Sequence, residues 1–157
     1  MQIDLITIAS NVPAWVDAGF QEYSKRLRAG GITVNLEEIS LQKRTDVRQI
    51  AAARNKESSQ VLAIAAKSSY IVALDERGKE YSSRELSEKF SFWQERTNKL
   101  AVIIGAPEGL SDEIRARADE FWSLGKLTLP HTLVRVVAVE ALYRAWSITR
   151  NLPYHRD

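Results

Sequence analysis

The sequence predicts an α/β fold in which a Rossmann-like, mostly parallel sheet carries helices on both faces. Apolar strand-like segments alternate with helical patterns along the chain, which is typical of repeated strand–helix–strand units. Residues 100–104 are apolar at every position, as in a parallel strand that is covered on both sides. The length of 157 residues suits one hydrophobic core, so we expect a single domain spanning residues 1–157.

The N-terminal half of the chain predicts two strand–helix pairs. Residues 3–9 form the first strand-like run, and Asn11 is placed to cap the helix that follows. That helix ends at Gly30 and Gly31, and its apolar stripe consists of Val12, Val16, Phe20, Tyr23 and Leu27. Residues 32–39 alternate as a second strand, and the alanine-rich residues 45–66 predict a long helix.

The C-terminal half continues this alternation. Residues 70–74 predict a third strand, and Ser82 with Glu85 has the spacing of a capping box at the start of the next helix. After the apolar strand at residues 100–104, Ser111 begins another helix, and two acidic residues in its first turn favour that start. The last helix is predicted over residues 133–148.

Composition excludes several classes of protein. The absence of cysteine removes disulfides, thiolate nucleophiles and cysteine metal sites. The N-terminus lacks the basic lead and cleavage site of a signal peptide, and no apolar run reaches membrane-spanning length. We therefore expect a soluble, cytoplasmic protein. Asp75 and Glu76 could form a metal pair, but no histidine lies nearby in the sequence, so we expect a solvated turn there and no metal.

Positive charge is concentrated in two runs, although the net charge of the chain is only +2. Residues 43–56 contain five basic residues and one acid, a local excess of +4. Residues 126–157 contain five basic and two acidic residues, a local excess of +3. Two such patches would suit contact with a phosphate backbone, although for residues 43–56 taken alone a solvated helix face is the favoured interpretation.

Three loops leave the carboxyl ends of the predicted sheet, where such sheets bind ligands: residues 74–78, 105–109 and 124–130. The 105–109 loop, Gly-Ala-Pro-Glu-Gly, follows the buried strand directly. Its first glycine would let a ligand approach the backbone, and its proline stiffens the turn. The glycines do not form the dinucleotide fingerprint, and the chain has no P-loop, so the loop taken alone could be a plain turn.

Both histidines, His131 and His155, lie in the C-terminal quarter of the chain, so the side chains that titrate near neutral pH are concentrated there. Each candidate in this segment also has a plain structural explanation. His131 could cap a helix after Pro130, and Arg144 could form a surface ion pair with Glu140. The terminal residues could be frayed unless a cofactor, RNA or a partner subunit orders them.

Six motifs together resemble one known family. They are residues 13–16 (Pro-Ala-Trp-Val), 74–75 (Leu-Asp), 105–109 (Gly-Ala-Pro-Glu-Gly), 124–131 (Leu-Gly-Lys-Leu-Thr-Leu-Pro-His), 144–146 (Arg-Ala-Trp) and 154–156 (Tyr-His-Arg). The chain closely resembles, nearly end to end, the bacterial ribosomal RNA large subunit methyltransferase H family of the SPOUT class. The resemblance implies a C-terminal trefoil knot and methylation of N3 of a pseudouridine in 23S rRNA.

The resemblance also implies a cofactor, S-adenosyl-L-methionine, held mainly by backbone groups of the three loops. The implied contacts are Leu74, Gly105, Leu124, Gly125, Lys126, Leu127, Thr128 and Leu129. The family often has glycine, serine and alanine where this chain has Ala106, Gly125 and Lys126. Binding through the backbone tolerates such changes.

Methylation at N3 of a uracil ring requires a group that accepts the ring proton, since N3 is protonated at neutral pH. The candidates for catalysis are His131, Arg144, Tyr154 and His155. Either histidine could accept the proton, and Arg144 could hold a phosphate or a base carbonyl. The choice between the two histidines stays open.

The last helix is apolar around most of its circumference, so nearly all of its sides must be covered. A chain of 157 residues offers little depth for that, and a twofold homodimer would supply the second surface. His131 and Arg144 would point to roughly opposite sides of this helix, so a site using both would draw them from different subunits. The resemblance to the SPOUT class implies the same arrangement.

Two other functions stay open. A non-catalytic RNA-binding or ribosome-associated module would keep the fold and the basic patches but would bind no cofactor. A small-molecule enzyme of Rossmann-like fold is disfavoured by the missing dinucleotide fingerprint. The small chain leaves little room for RNA-specific appendages, so we expect the assembled ribosome to be the substrate.

Overall fold

Five strands alternate with five helices along residues 1–155, which are the residues that the structure, a computed structural model, describes. The elements in chain order are β1 (Gln2–Ala9), α1 (Ala14–Ala29), β2 (Thr33–Ser40), α2 (Val47–Ala65), β3 (Tyr70–Glu80), α3 (Ser83–Arg96), β4 (Lys99–Ile104), α4 (Asp112–Arg117), β5 (Glu120–Ser123) and α5 (His131–Thr149). This alternation confirms the predicted α/β class.

The strands form one sheet in the order β2-β1-β4-β3-β5, and every neighbouring pair is parallel. Buried side chains of α1, α3 and α5 pack on one face of the sheet, and those of α2 and α4 pack on the other. The predicted parallel sheet with helices on both faces is therefore confirmed, and the trefoil knot stays a prediction. Within residues 1–155, no helix has the length and apolar character that crossing a membrane requires.

Of three predicted helix starts, the structure confirms two. Ser82 and Glu85 form the predicted capping box of α3, and the Ser111 hydroxyl accepts the Ile114 N–H at the start of α4. Asn11 does not cap α1. The helix begins at Ala14 after Pro13, and Asn11 instead takes a left-handed φ of 54° in the preceding loop.

Strand β3 extends six residues beyond the predicted segment 70–74, and it includes Asp75 and Glu76. The predicted solvated turn at these residues is therefore wrong. Its register against β5 shifts between Leu74 and Lys79, and at Gly78 the two backbones approach so closely that a Cβ would lie 2.7 Å from the Trp122 carbonyl carbon. Four residues are too few to show an alternating pattern, so the sequence does not predict the bounds of β5.

Candidate active site at the carboxyl ends of the strands

A pocket of about 720 Å³ lies at the carboxyl ends of β4 and β5, against residues 74–77 of β3, and is closed on one side by the start of α5. Its size is in the range of pockets that bind cofactors. All eight residues implied for the cofactor line it: Leu74, Gly105, Leu124, Gly125, Lys126, Leu127, Thr128 and Leu129. His131 lines the same pocket. Arg144, Tyr154 and His155 do not.

The 105–109 loop folds back on itself at the floor of the pocket. The Gly109 N–H donates to the Ala106 carbonyl at 2.8 Å, and Gly109 has a φ of 88°. A Cβ at Gly105 would lie 3.1 Å from backbone atoms of Gly109 and Leu110. A side chain at this position would therefore crowd the turn itself, so the turn favours glycine.

The loop at 124–130 is shaped by the strand that precedes it. The Ser123 hydroxyl accepts the Gly125 N–H at 3.2 Å and lies 3.3 Å from the Gly125 carbonyl oxygen. Gly125 has a φ of 114°, which side chains rarely allow. Leu127 is 82% exposed, an unusual position for a leucine. The loop thus presents both its backbone and an apolar side chain to whatever enters the pocket.

An ion pair supports the third side of the pocket. The Asp75 carboxylate is buried and lies 2.5 Å from the Arg115 guanidinium on α4, and it also accepts the Arg77 N–H. This pair fixes the part of β3 directly after Leu74. Among residues 1–155 no group of three histidine or acidic side chains is arranged to hold a metal ion.

A buried carboxylate anchors β5 beneath the 124–130 loop. Glu120 accepts hydrogen bonds from the Tyr81 hydroxyl at 2.5 Å and the Trp93 indole at 3.2 Å, and it pairs with Lys89 at 3.0 Å. Burial alone would raise the pKa of Glu120, but these donors outweigh it and lower the pKa. No local pattern in the sequence predicts this network, because its donors come from α3 and from the connection that precedes it.

His131 is the first residue of α5, and its ring is turned toward β1. Nε2 lies 2.5 Å from the Ile8 carbonyl oxygen. A carbonyl only accepts hydrogen bonds, so in the neutral ring Nε2 carries the hydrogen and Nδ1 is the acceptor. Burial lowers the pKa of His131, the charge of Arg135 lowers it further, and the Ile8 carbonyl and Glu108 oppose this in part. The ring is therefore kept neutral near neutral pH.

The predicted basic patches are smaller than the sequence indicates. Arg135 is fully buried on α5 and donates to Glu38 at 2.6 Å. Arg44 is paired with Glu57 and Glu108, and Arg54 donates to the Leu110 carbonyl. Arg135 is thus fully buried, Arg44 is largely buried and Arg54 is half-buried, so these three charges are engaged within the chain.

Arg144 lies at the other end of α5 from His131. Thirteen residues of helix separate the two by about 20 Å along the axis. Its guanidinium donates to Glu140 at 2.6 Å and 3.1 Å, which is the ion pair that the spacing in the sequence also allows, and this pairing raises the pKa of Arg144. Arg144 lines a second pocket of about 200 Å³ between α3 and α5, which shares four lining residues with the first, namely Trp122, Ser123, Leu124 and Gly125.

The C-terminal segment docks on its own chain. The Tyr154 hydroxyl donates to Glu140 at 2.9 Å, and its ring meets Tyr143 edge-on at 4.7 Å between centroids. Arg26 and Arg144 both lie over the Tyr154 ring. Burial, the Tyr23 hydroxyl and the Glu140 carboxylate raise the pKa of Tyr154. His155 is half-buried and its Nδ1 has no hydrogen-bond partner, and Arg156 of the last motif lies outside the described residues.

Comparisons with known proteins agree with this architecture. Residues 1–155 match the family described as "Predicted SPOUT methyltransferase". The chain belongs to the SPOUT methyltransferase family. A solved structure, that of a probable methylase family protein from Haemophilus influenzae, superposes with a TM-score of 0.53 at 14% identity, covering 99% of this chain and 70% of that one. At that identity the likeness shows the SPOUT fold alone.

Curated relatives are similar over their whole length. This SPOUT chain is 54% identical over 156 residues to a protein of Dichelobacter nodosus, covering 99% of both chains. It is 45% identical over 157 residues to one of Thioalkalivibrio sulfidiphilus, covering all of both, and 45% identical over 156 residues to one of Legionella pneumophila (strain Paris), covering 99% of both. Each is named ribosomal RNA large subunit methyltransferase H. The resemblance inferred from the motifs is thus confirmed.

Proposed function

We propose that this protein, as one domain spanning residues 1–157, is an S-adenosylmethionine-dependent methyltransferase that methylates N3 of a pseudouridine in 23S rRNA. The observation that carries the proposal is the pocket in which strand β3 and the loops at residues 105–109 and 124–130 meet a neutral histidine. The shared name of the full-length relatives supports the rRNA of the large subunit as the substrate.

The pocket fits S-adenosylmethionine by its size and its chemistry. Its floor is a backbone turn that has no room for a Cβ at Gly105, and its wall is the 124–130 loop with Leu127 exposed. Backbone groups of these loops would hold adenine and ribose, with Leu74, Leu124, Leu127 and Leu129 as apolar contacts. When bound, the cofactor would supply an electrophilic methyl group.

His131 is the proton acceptor in this proposal. N3 of the uracil ring must lose its proton as it becomes the nucleophile, and the acceptor must be neutral and have a free lone pair. Ile8 fixes the Nε2 hydrogen, so Nδ1 of His131 meets both conditions at the wall of the pocket. His155 does not line this pocket within one chain, which favours His131 of the two histidines.

The remaining candidates act from a second copy of the chain. The two ends of α5 lie too far apart for His131 and Arg144 of one chain to touch the same base. Several apolar side chains of α5 remain only half-buried, namely Leu133, Val134, Val136, Val137, Ala141 and Ile148, and Trp15 on α1 is 61% exposed. A twofold homodimer would cover them and bring Arg144, Tyr154 and His155 of one subunit beside the pocket of the other.

The proposed setting is the cytoplasm, with the assembled ribosome as substrate. Of the basic run at 43–56, Lys43, Arg48 and Lys56 remain exposed, and Lys126 is exposed at the pocket. Because several cations of the two basic runs are engaged within the chain, these runs would supply modest, salt-dependent RNA affinity, and recognition would depend on the shape of the ribosome. Equal activity on protein-free 23S rRNA and on ribosomes would contradict this part of the proposal.

The deciding experiment is transfer of labelled methyl from S-adenosylmethionine to ribosomes from cells that lack the modification, with mass spectrometry of the RNA. We expect methylation of one pseudouridine by the wild type. Gly105→Val should reduce transfer by about 100-fold, because the added atoms overlap the turn at Gly109 and Leu110. A folded wild-type protein that binds ribosomes without transferring methyl would instead be a non-catalytic RNA-binding module.

A further inference from the structure

We infer that Arg44 is a positioning residue for the loop that binds the methyl donor, and that it acts through Glu108. The inference rests on the proposed function, because the 105–109 loop is assigned to the donor there. Arg44 lies in the connection between β2 and α2 and does not line the pocket. None of the motifs that mark the family resemblance includes it.

Arg44 is a fixed point of the structure. Its Nη2 and Nη1 atoms lie 2.7 Å and 3.0 Å from the two carboxylate oxygens of Glu57, and Nη1 also donates to the Gln42 carbonyl at 3.0 Å. Glu57 is buried on α2 and accepts the Gln42 N–H as well. A paired, fork-shaped contact of this kind fixes the orientation of the guanidinium.

A second edge of the same guanidinium faces the pocket loop. Nε of Arg44 lies 2.9 Å from Oε1 of Glu108, in an ion pair without an aligned hydrogen bond. The Arg44 side chain is 10% exposed and that of Glu108 is 37% exposed. Arg44, which Glu57 of α2 holds in place, therefore restrains the exposed carboxylate of Glu108 in the loop. The restrained atom belongs to a residue that lines the donor pocket.

Other contacts from α2 hold a different part of this segment. Arg54 donates to the Leu110 carbonyl at 3.2 Å, and the Ser58 hydroxyl donates to that of Ser111 at 2.7 Å. Both lie after the loop, where it joins α4. Within the described residues, the ion pair between Arg44 and Glu108 is the side-chain contact from this side that reaches the outer turn of the loop. Its loss should free the turn and leave the rest of the segment in place.

The position of this turn matters because the donor is held through the backbone in the proposed site. A loop that is already ordered loses less conformational entropy on binding than one that must be ordered by its ligand. Glu108 also lies close enough to His131 to act on its charge. Glu108 therefore links the largely buried Arg44 to the donor loop, and its charge also acts on His131, the proposed proton acceptor.

The test is the affinity for S-adenosylmethionine, measured by calorimetric titration of the full chain. Glu108→Gln keeps the shape of the side chain, removes its charge and leaves Arg44 paired with Glu57. We expect the dissociation constant to rise about fivefold, as for a partly exposed ion pair. Glu88→Gln, which removes the same charge from an exposed position on α3, should bind the donor as the wild type does.

Arg44→Lys tests the other member of the pair. Lysine keeps a positive charge beside buried Glu57 but cannot reach both carboxylates as a planar fork does. We expect the same loss of affinity as for Glu108→Gln, and no further loss when the two changes are combined, because both remove one interaction. A purely structural role would lower the melting temperature of these variants and leave donor affinity well below that temperature unchanged.

The outcomes separate this inference from the proposed function. Donor binding by Glu108→Gln that equals wild-type binding would overturn the inference alone. So would additive losses in the double variant, since Arg44 would then act by a route other than Glu108. A folded wild-type chain that binds no S-adenosylmethionine would overturn the proposed function, and this inference with it.

Discussion

The two ends of α5 differ in how their polar side chains are satisfied. At the pocket end, His131 uses one ring nitrogen for the Ile8 carbonyl and keeps the other free beside the pocket. At the tail end, Arg144 and Tyr154 both bind Glu140 and stack on each other, so their polar groups are engaged within the chain. At the tail end Arg144 and Tyr154 thus form a closed network with Glu140, whereas at the pocket end Nδ1 of His131 remains as an acceptor.

This difference indicates which end carries chemistry in a single chain. A proton acceptor needs a free lone pair beside the substrate pocket. Nδ1 of His155 also lacks a hydrogen-bond partner, but it is buried in the tail and His155 does not line the pocket, so within one chain His131 is the candidate. To take part in catalysis, Arg144 and Tyr154 would have to release Glu140 and bind RNA instead. Alternatively, they could be brought to the pocket of another subunit with their network intact. The homodimer in the proposed function is the second arrangement, since it moves the whole tail end beside the partner's pocket.

The largest expected effect is the loss of methyl transfer when His131 at the pocket end is removed. His131→Ala should lower the rate constant of methyl transfer by about 10²–10⁴-fold, because it removes the proposed proton acceptor. Donor affinity should change little, since the loops that would hold the donor are intact. Single-turnover transfer to ribosomes measures the rate, and melting of the variant checks its fold. A rate close to that of the wild type would exclude His131 as the acceptor.

The next effect tests whether the two ends meet across a dimer. His131→Ala and Arg144→Ala should each leave about 1% of activity or less as homodimers. A heterodimer of the two, isolated through different affinity tags, contains one intact site and should recover about half of the wild-type activity. Absence of recovery would show that a site does not combine His131 of one chain with Arg144 of another.

A smaller effect is the pH dependence of methyl transfer, which tests the protonation of His131 at the pocket end. The groups that face His131 are the Ile8 carbonyl, Arg135 and Glu108, and burial with Arg135 lowers its pKa below the ordinary 6.5. Transfer should therefore keep more than half of its maximal rate at pH 6.5 and fall only at lower pH, where the ring gains a proton. A midpoint above 6.5 in the rate profile would contradict the assignment.

The lowered pKa of His131 also makes the free energy of unfolding depend on pH. Below pH 6.5 the unfolded chain binds a proton at His131 that the folded chain does not bind until its lower pKa is reached. The free energy of unfolding should therefore decrease as the pH falls through this window, and His131→Ala should lack that part of the decrease. Urea titrations of both proteins between pH 7 and pH 5 measure the difference.

The smallest effect tests the closed network at the tail end. Tyr154→Phe keeps the ring stacking and removes the hydroxyl that donates to Glu140. We expect a loss of about 0.5–1 kcal/mol in the free energy of unfolding, or a few degrees in melting temperature. Val47→Ala, at an exposed position on α2, serves as the control. An unchanged melting temperature for Tyr154→Phe would mean that the tail does not dock on its own chain in solution.

Local features of this fold followed from the sequence because they depend on neighbouring residues. The capping box of Ser82 and Glu85 and the fully apolar strand β4 are patterns within one element, and both are confirmed. Two of the three predicted loops, residues 105–109 and 124–130, line the pocket as loops, since parallel strands bring their carboxyl ends to one edge, whereas residues 74–78 line it as part of β3. Recognition of the family added the cofactor residues, which composition and periodicity do not identify.

The tertiary structure decided the contacts between residues far apart in the chain. Arg135 has the sequence appearance of a surface cation, yet it is buried against Glu38, 97 positions earlier. Asp75 and Glu120 are likewise isolated acids in the sequence, and their partners come from other elements. A local pattern carries no information about such pairs, because the burial of a charge depends on which element packs over it. Sequence alone determined most of the elements and two of the pocket loops, and packing determined which charges became anchors and which histidine lines the pocket.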